Sequence, residues 1–352
     1  MWKSTDGGTT WNQTGLNPGN SPSRMNDIYV HPTNSDVLWV ATNNGVYKTT
    51  NAGTSWSNNL NGVNARDLKI NPANPDIVYA VSSNRFYKST DAGDTFVISS
   101  SGLPNSSNRL VIDVTPANPA VVYVVSAATN NGYQGVYKST NSGDSFVQTA
   151  NTADIFQSSQ SWYDLALAVS DTDEDELYVG VLDIFKSSNG GDSFTQINSW
   201  FQHNASYTHA DIHFLRFYNN ELYAGTDGGF FKSSNGGSTF TDLTVGMEIS
   251  QFYRIDVSQQ TANKIAGGTQ DNGGFGYFNQ WNNYHGGDGM EGVIDPVNDN
   301  LYYGFMQFGQ NLFVSNNSGQ GGSAGYGGPE NGNWITPLAV NTEGEVYGAY
   351  SR

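Results

Sequence analysis

Two histidines and an aspartate alternate in the segment Tyr207-Thr208-His209-Ala210-Asp211-Ile212-His213. If this segment is a strand, residues 209, 211 and 213 project from one side, because side chains alternate along an extended chain. Two imidazoles and a carboxylate grouped this way could hold a metal ion. They could equally satisfy one another and the backbone at a channel mouth. Further along, carboxylates recur in glycine-rich loops. Gly225-Thr226-Asp227-Gly228-Gly229 is followed by Gly267-Gly268-Thr269-Gln270-Asp271-Asn272-Gly273-Gly274. Trp281-Asn282-Asn283-Tyr284-His285-Gly286-Gly287-Asp288-Gly289-Met290-Glu291 then adds two carboxylates and two flat rings, and Met306-Gln307-Phe308 completes the arc.

Aromatic rings beside carboxylates suit sugar recognition. A ring stacks on the apolar face of a pyranose while a carboxylate takes its hydroxyls. His209, Asp211, His213, Asp271, Trp281, Tyr284 and Glu291 are therefore the candidate ligand-binding residues. An Asp in a Gly-flanked turn is also favoured for backbone reasons, which is the competing explanation for the same residues.

What must position these loops is a repeat. The pattern Ser/Thr-x-Asp/Asn-x-Gly-x-Thr/Ser-aromatic begins at residues 4, 49, 89, 139, 187 and 233, with spacings of 45, 40, 50, 48 and 46. Ser315-Asn316-Asn317-Ser318-Gly319 is a weaker seventh copy without the closing aromatic. Short apolar runs ending in Lys precede the copies, as in Val46-Tyr47-Lys48 and Phe86-Tyr87-Lys88, and read as strands feeding a hairpin turn. A period of this size built from strand-like segments indicates a β-propeller with one four-stranded blade per repeat. The fold class is all-β. Inner-strand segments recur eight times, from Asp27–Val30 to Thr336–Val340, which favours eight blades over seven or over a fragment of a larger ring. Residues 1–352 are expected to form one propeller, with strands in 334–350 completing the blade begun by 1–13, in a chain cut from a longer protein. The Gly-rich stretch Gly319–Gly328 reads as a flexible insertion or outer loop.

Composition narrows the partners. The net charge is −17, with only 15 Lys and Arg, so nucleic acid is not an expected partner, since phosphate binding needs clustered basic residues. No run is apolar and long enough to insert in a membrane. Cysteine is absent, so disulfides play no part. No cofactor is expected. Calcium is left open by the acidic run Asp171-Thr172-Asp173-Glu174-Asp175-Glu176, although the Gly and Glu that a calcium loop needs at its sixth and twelfth positions are missing.

The octapeptides resemble the Asp-box (BNR-type) repeat shared by sialidases, sortilin-type receptors and the xyloglucanases of glycoside hydrolase family 74. The chain looks closest to secreted sortilin-like or xyloglucanase-like propellers of Bacteroidetes-type bacteria. That resemblance covers nearly the whole sequence and implies an extracellular or cell-surface location, with the boxes on the face opposite the functional loops. Thr226-Asp227-Gly228-Gly229 resembles the loop carrying one catalytic carboxylate in family 74, and the region from Gly287-Asp288 to Pro296 resembles that of the second. The resemblance thus implies Asp227 and Asp288 as the acid and base, in unassigned order. A sialidase-like arginine clamp is not legible, because Arg24, Arg66, Arg85, Arg109, Arg216 and Arg254 lie scattered.

The expected function is an extracellular propeller that binds a glycan or peptide on the loop face of blades five to eight. A polysaccharide hydrolase using a carboxylate pair is the alternative, and a structural surface protein is the third reading.

Overall fold

The computed structural model describes residues 1–16, 22–247, 249–321 and 323–350. The regular elements among these residues are antiparallel strands and one short 3-10 turn at Gln307–Gly309, joined by turns and loops. The chain divides into two compact units, Met1–Thr244 and Val245–Arg352. In unit 1, five four-stranded sheets follow one another, each ordered from inner to outer strand as the sequence runs. Their inner strands are Met25–Val30, Asp67–Ile70, Arg109–Val114, Ala166–Val169 and Ile212–Tyr218, which define blades 1 to 5. A two-stranded sheet pairs Trp2–Lys3 with Asn12–Gln13. Unit 2 holds blades 6 and 7, whose inner strands are Phe252–Val257 and Gly289–Ile294, and a two-stranded sheet of Leu338–Val340 with Val346–Gly348. Sequential four-stranded antiparallel sheets of this kind are the blades of a β-propeller.

The second strands of blades 2, 3 and 4, Val78–Val81, Val122–Ala127 and Leu177–Gly180, are buried along their whole length. Each is predominantly apolar because it is covered on both faces. The cores accordingly lie between successive sheets. Tyr79, Phe86, Leu110, Ile112 and Val124 fill the space between blades 2 and 3, and Val125, Val136, Leu167, Val179 and Phe185 that between blades 3 and 4.

The octapeptide boxes form the hairpins before the outer strands. In every copy the first hydroxyl accepts the N–H of the box glycine, at 2.8–3.1 Å from Gly8, Gly53, Gly93, Gly143, Gly191, Gly237 and Gly319. In the six full copies the Asp or Asn oxygen accepts the amide four residues on, at 2.9–3.0 Å. Removing such a hydroxyl would orphan a buried N–H in most copies, a cost of about 1–3 kcal/mol. The boxes also tie blade to blade. Lys48 reaches Asp94 of the next box at 2.8 Å, Lys88 reaches Asp144 at 2.7 Å, and Lys186 donates to the Gly236 carbonyl at 3.4 Å.

One feature differs from the sequence expectation. The Gly319–Gly328 stretch contains the fourth strand of blade 7, Ala324–Gly327 paired with Asn311–Val314, rather than forming only an insertion or loop; Gly322 within it lies outside the described residues. Blade 6, where the sequence has no box, turns more tightly: Phe278 pairs with Gln280 across Asn279, which adopts φ 66°.

Candidate functional site

The inner strands of unit 1 surround a cavity of about 180 Å³. Each of the first three is stapled to the next by an aspartate. Asp27 accepts the Leu68 N–H at 3.2 Å, Asp67 that of Ile112 at 2.8 Å, and Asp113 that of Val169 at 2.8 Å. Lys69 lies among them, 2.5 Å from Asp67 and 3.7 Å from Asp27, above the Tyr29 ring. Arg216 covers the same ring from blade 5. Burial pushes Asp27 and Asp113 up to about 6. Burial opposes the charge on Lys69, yet Asp67 and its anionic neighbours hold the ammonium well above its ordinary pKa.

Blades 4 and 5 supply the acidic side of the mouth. A long connection, residues 149–165, leads into the inner strand of blade 4, whereas residues 59–66 suffice between blades 1 and 2. From that connection Gln160 Nε2 donates to Asp164 Oδ2 at 2.9 Å and to Asp211 Oδ1 at 2.5 Å. The Tyr163 hydroxyl donates to Asp227 Oδ2 at 2.6 Å, and His213 Nε2 lies 2.6 Å from Asp227 Oδ1. The Tyr163 and His213 rings meet edge to face with centroids 4.6 Å apart. Oxygens of Asp211 and Asp227 come within 4.8 Å of each other.

The expected alternation of His209, Asp211 and His213 does not hold. The strand starts only at Ile212, Asp211 takes φ 63°, and the pairing slips between Ile212 and Phe214. A left-handed residue and a bulge re-aim the side chains, as bulges do at functional edges. Asp211 and His213 therefore join Asp227. The His209 ring instead lies against Gly228, where a Cβ would fall 2.1 Å from its Cδ2, so only glycine fits there. Among the described residues, His209, Asp211 and His213 do not assemble as a metal-ligating trio.

The acidic side has uneven electrostatics. Asp164 is fully buried, and its Oδ1 has no hydrogen-bond partner. Burial raises it to about 7; the Gln160 hydrogen bond lowers it and Asp211 adds to the rise. Asp211 is raised by burial and by Asp227. His213 is raised chiefly by its hydrogen bond to Asp227. Near neutral pH this places a partly protonated carboxyl, a second raised carboxyl and an imidazole with enhanced basicity within one small cluster.

The remaining candidates lie in unit 2. Trp281 is 46% exposed, with its ring 5.5 Å from Phe252 and 5.2 Å from Tyr277. It lines a cavity of about 600 Å³ with Ser250, Phe252, Thr269 and Phe275. Asp288 accepts the Asp271 N–H at 2.9 Å, and its own N–H donates to Gln307. Glu291 accepts the Leu338 N–H at 3.2 Å. Tyr284 is corrected from ligand-facing to core. It is 4% exposed, packs against His285 and Tyr302, and is skipped by the pairing that joins Asn283 to Phe275 and His285 to Gly274. The acidic run 171–176 is spent on other partners: Asp175 pairs with Lys138 at 2.6 Å, Glu176 with Lys186 at 3.1 Å, and Asp171 accepts the Asn220 N–H.

Gln160, Trp162, Tyr163 and Asp164 were not singled out in the sequence, nor were Arg66 and Arg109 as a pair. The length of the 149–165 connection was the available signal, since a long loop in a repeat of short ones is where function concentrates.

No protein-family model matches this sequence, and no curated protein matches it. Solved structures do share its fold. The GH74 enzyme of Niastella koreensis superimposes with a TM-score of 0.64 at 18% identity, over 99% of this chain and 58% of that one. An ancestral GH74 enzyme gives 0.50 at 16% identity, over 96% and 50% of the two chains. PorZ, a bacterial surface component of the type-IX secretion system of Porphyromonas gingivalis, gives 0.50 at 14% identity, over 93% and 44%. The chain thus spans about half the length of these proteins. At such identities the likeness establishes a shared architecture: the chain has a β-propeller fold.

Proposed function

We propose that this chain is an extracellular eight-bladed propeller that binds glycan, with the loop face of blades 4 and 5 as one contact surface. The observation that carries the reading is the pairing of an exposed ring with an oriented carboxylate. Trp162 is 59% exposed, its ring centroid lies 5.6 Å from that of Tyr163, and the Tyr163 hydroxyl fixes Asp227. A sugar stacked on Trp162 would find hydrogen-bond acceptors in Asp211 and Asp227 and a donor in His213. The Trp281 pocket of unit 2 is a second aromatic surface suited to the same class of ligand. The acidic character of the chain, at −17, suits neutral glycans better than anionic polymers.

Hydrolysis stays as the second reading, favoured by the raised carboxyl of Asp164 beside carboxylates that accept several hydrogen bonds, since environments that separate paired acids are how acid and base roles arise. Against it, Asp164 has no exposed surface on which a substrate could touch it. The test is a binding and degradation screen of the purified chain against plant and microbial polysaccharides, with Trp162→Ala and Asp227→Asn beside it. Retention of a glycan by the wild type, weakened at least tenfold in both variants and without sugar release, is the expected outcome. Sugar release abolished by Asp227→Asn would move the assignment to a hydrolase. Retention of a peptide library with no glycan bound would overturn the glycan reading, and binding of neither would leave a structural propeller.

A further inference from the structure

An asparagine followed by glycine is the dipeptide at which a side-chain amide most readily reacts with its own backbone, because glycine leaves the next amide nitrogen unhindered. The chain holds seven such steps. The reaction needs two freedoms. The glycine N–H must give up its proton to solvent, and the asparagine side chain must swing onto the bared nitrogen. At six of the seven steps the fold restrains one or both. Gly132 donates its N–H to Asn130 Oδ1 at 3.1 Å, Gly190 to the Asp175 carbonyl at 2.9 Å, and Gly332 to the Phe308 carbonyl at 2.7 Å. Gly45 and Gly273 sit in strand pairings opposite Thr42 and Thr269. Asn235 is locked by its box. Its Oδ1 accepts the Ser233 hydroxyl at 3.0 Å and the Thr239 N–H at 2.9 Å, and its Nδ2 donates to Thr239 Oγ1 at 2.9 Å.

Asn61-Gly62 carries neither restraint. Both residues are exposed, at the turn of the short connection between blades 1 and 2. Among the described residues the Gly62 N–H has no acceptor. Gly62 takes φ 78°, and a Cβ there would meet nothing within 4 Å. The Asn61 side chain has one contact, its Oδ1 accepting from Asn58 Nδ2 at 3.2 Å, so its own Nδ2 faces solvent. We propose that Asn61 is a site of spontaneous deamidation, by which the chain acquires a covalent mark and an added negative charge on this loop. The Gly62 nitrogen, having lost its proton, attacks Asn61 Cγ. That bond forms, the Cγ–Nδ2 bond breaks, and Nδ2 leaves as ammonia after taking a proton from water. Water then opens the cyclic imide at either carbonyl, giving aspartate or isoaspartate. Water is the only co-reactant, and nothing is oxidised or reduced. The product is tolerated because the loop is exposed and Asn58 Nδ2 remains a donor to the new carboxylate. This site is separate from the glycan reading and does not rest on it.

The experiment incubates the full chain at pH 8 and pH 6, folded and in urea. Mass spectrometry follows each Asn-Gly peptide, with isoaspartate resolved from aspartate by retention time. In the folded chain at pH 8, conversion at Asn61 is expected to be at least tenfold faster than at any of the other six steps. It should slow at pH 6, because the attacking nitrogen must first lose its proton. In urea the seven steps should convert at similar rates, since the restraints belong to the fold. N61Q should abolish conversion at that position, and G62A, whose Cβ crowds the attacking nitrogen, should slow it at least tenfold. Conversion at Asn61 no faster than at Asn189 or Asn235, a product without isoaspartate, or a folded-state ranking that persists unchanged in urea would each overturn the proposal. The wild-type comparison among the seven steps decides the matter even if neither variant folds.

Discussion

The two sides of the unit 1 mouth handle charge in opposite ways. On the acidic side, Gln160 bridges Asp164 and Asp211 while Tyr163 and His213 converge on Asp227, so the carboxylates are tied into one cluster in which the buried Asp164 Oδ1 is left without a partner. On the basic side, Arg109 is spent on backbone carbonyls and Arg66 has no hydrogen-bonded partner. The first side is organised before any ligand arrives. The second lacks a counter-charge. A hydrogen-bonded polar network rigidifies and orients its members, whereas a buried donor without a partner carries an unrecovered desolvation cost.

Substitutions that neutralise one group at a time measure this contrast. The largest effect is expected at Asp164. Burial pushes its folded pKa up to about 7, above the ordinary carboxyl value of 3.8, so the folded state holds more protons than the unfolded state between those values. Stability therefore falls as pH rises from about 4 to 7 and levels off above. Asp164→Asn keeps the Gln160 hydrogen bond without the charge. It should remove about 2–4 kcal/mol of that pH dependence and stabilise the protein at pH 8, as urea denaturation at pH 4.5 and 8 would show. A pH dependence identical in wild type and variant would mean that Asp164 ionises freely.

The next effect is at Asp227. Because the His213 pKa is raised in the folded state, the contribution of this pair is fully present below the ordinary imidazole pKa near 6.5 and is lost as pH rises through the folded value. Asp227→Asn should bring His213 back down towards 6.5 and cost about 1 kcal/mol at pH 6, modest because the histidine is partly solvated. Titration of the imidazole resonances by NMR would follow the shift, and an unmoved His213 would mean that the ion pair does not form in solution. The smallest effect is expected at Arg66. With no partner to lose and a neighbouring like charge relieved, Arg66→Gln should leave stability unchanged or raise it slightly, whereas Arg109→Gln, which gives up three carbonyl contacts, should cost about 1–3 kcal/mol. Equal losses in thermal denaturation would show that Arg66 is as structural as Arg109.

The blades were legible because their signals are local. The box hydroxyl, the Asx side chain and the glycine form hydrogen bonds within eight residues, so a short motif specifies a hairpin and its period specifies the repeat. The candidate site was legible in part. Asp211, His213 and Asp227 were marked by residue type and loop composition, but Tyr163 sits 64 positions from the carboxylate it holds, and Gln160 sits 51 from Asp211. Tyr284 shows the converse failure. An aromatic among polar residues reads as exposed, yet a bulge in the pairing turned it into the core.

By itself, then, the sequence determined the all-β class, the repeat, the hairpin chemistry and the acidic balance, since each depends on contacts between near neighbours or on composition. Tertiary structure alone decided that Arg66 and Arg109, from separate blades, line one cavity, that the Asp164 carboxyl is buried while that of Asp227 is held by two donors, and that His209 packs on Gly228. These outcomes depend on which strand ends meet when the sheets pack, and on where a single left-handed residue such as Asp211 redirects the chain.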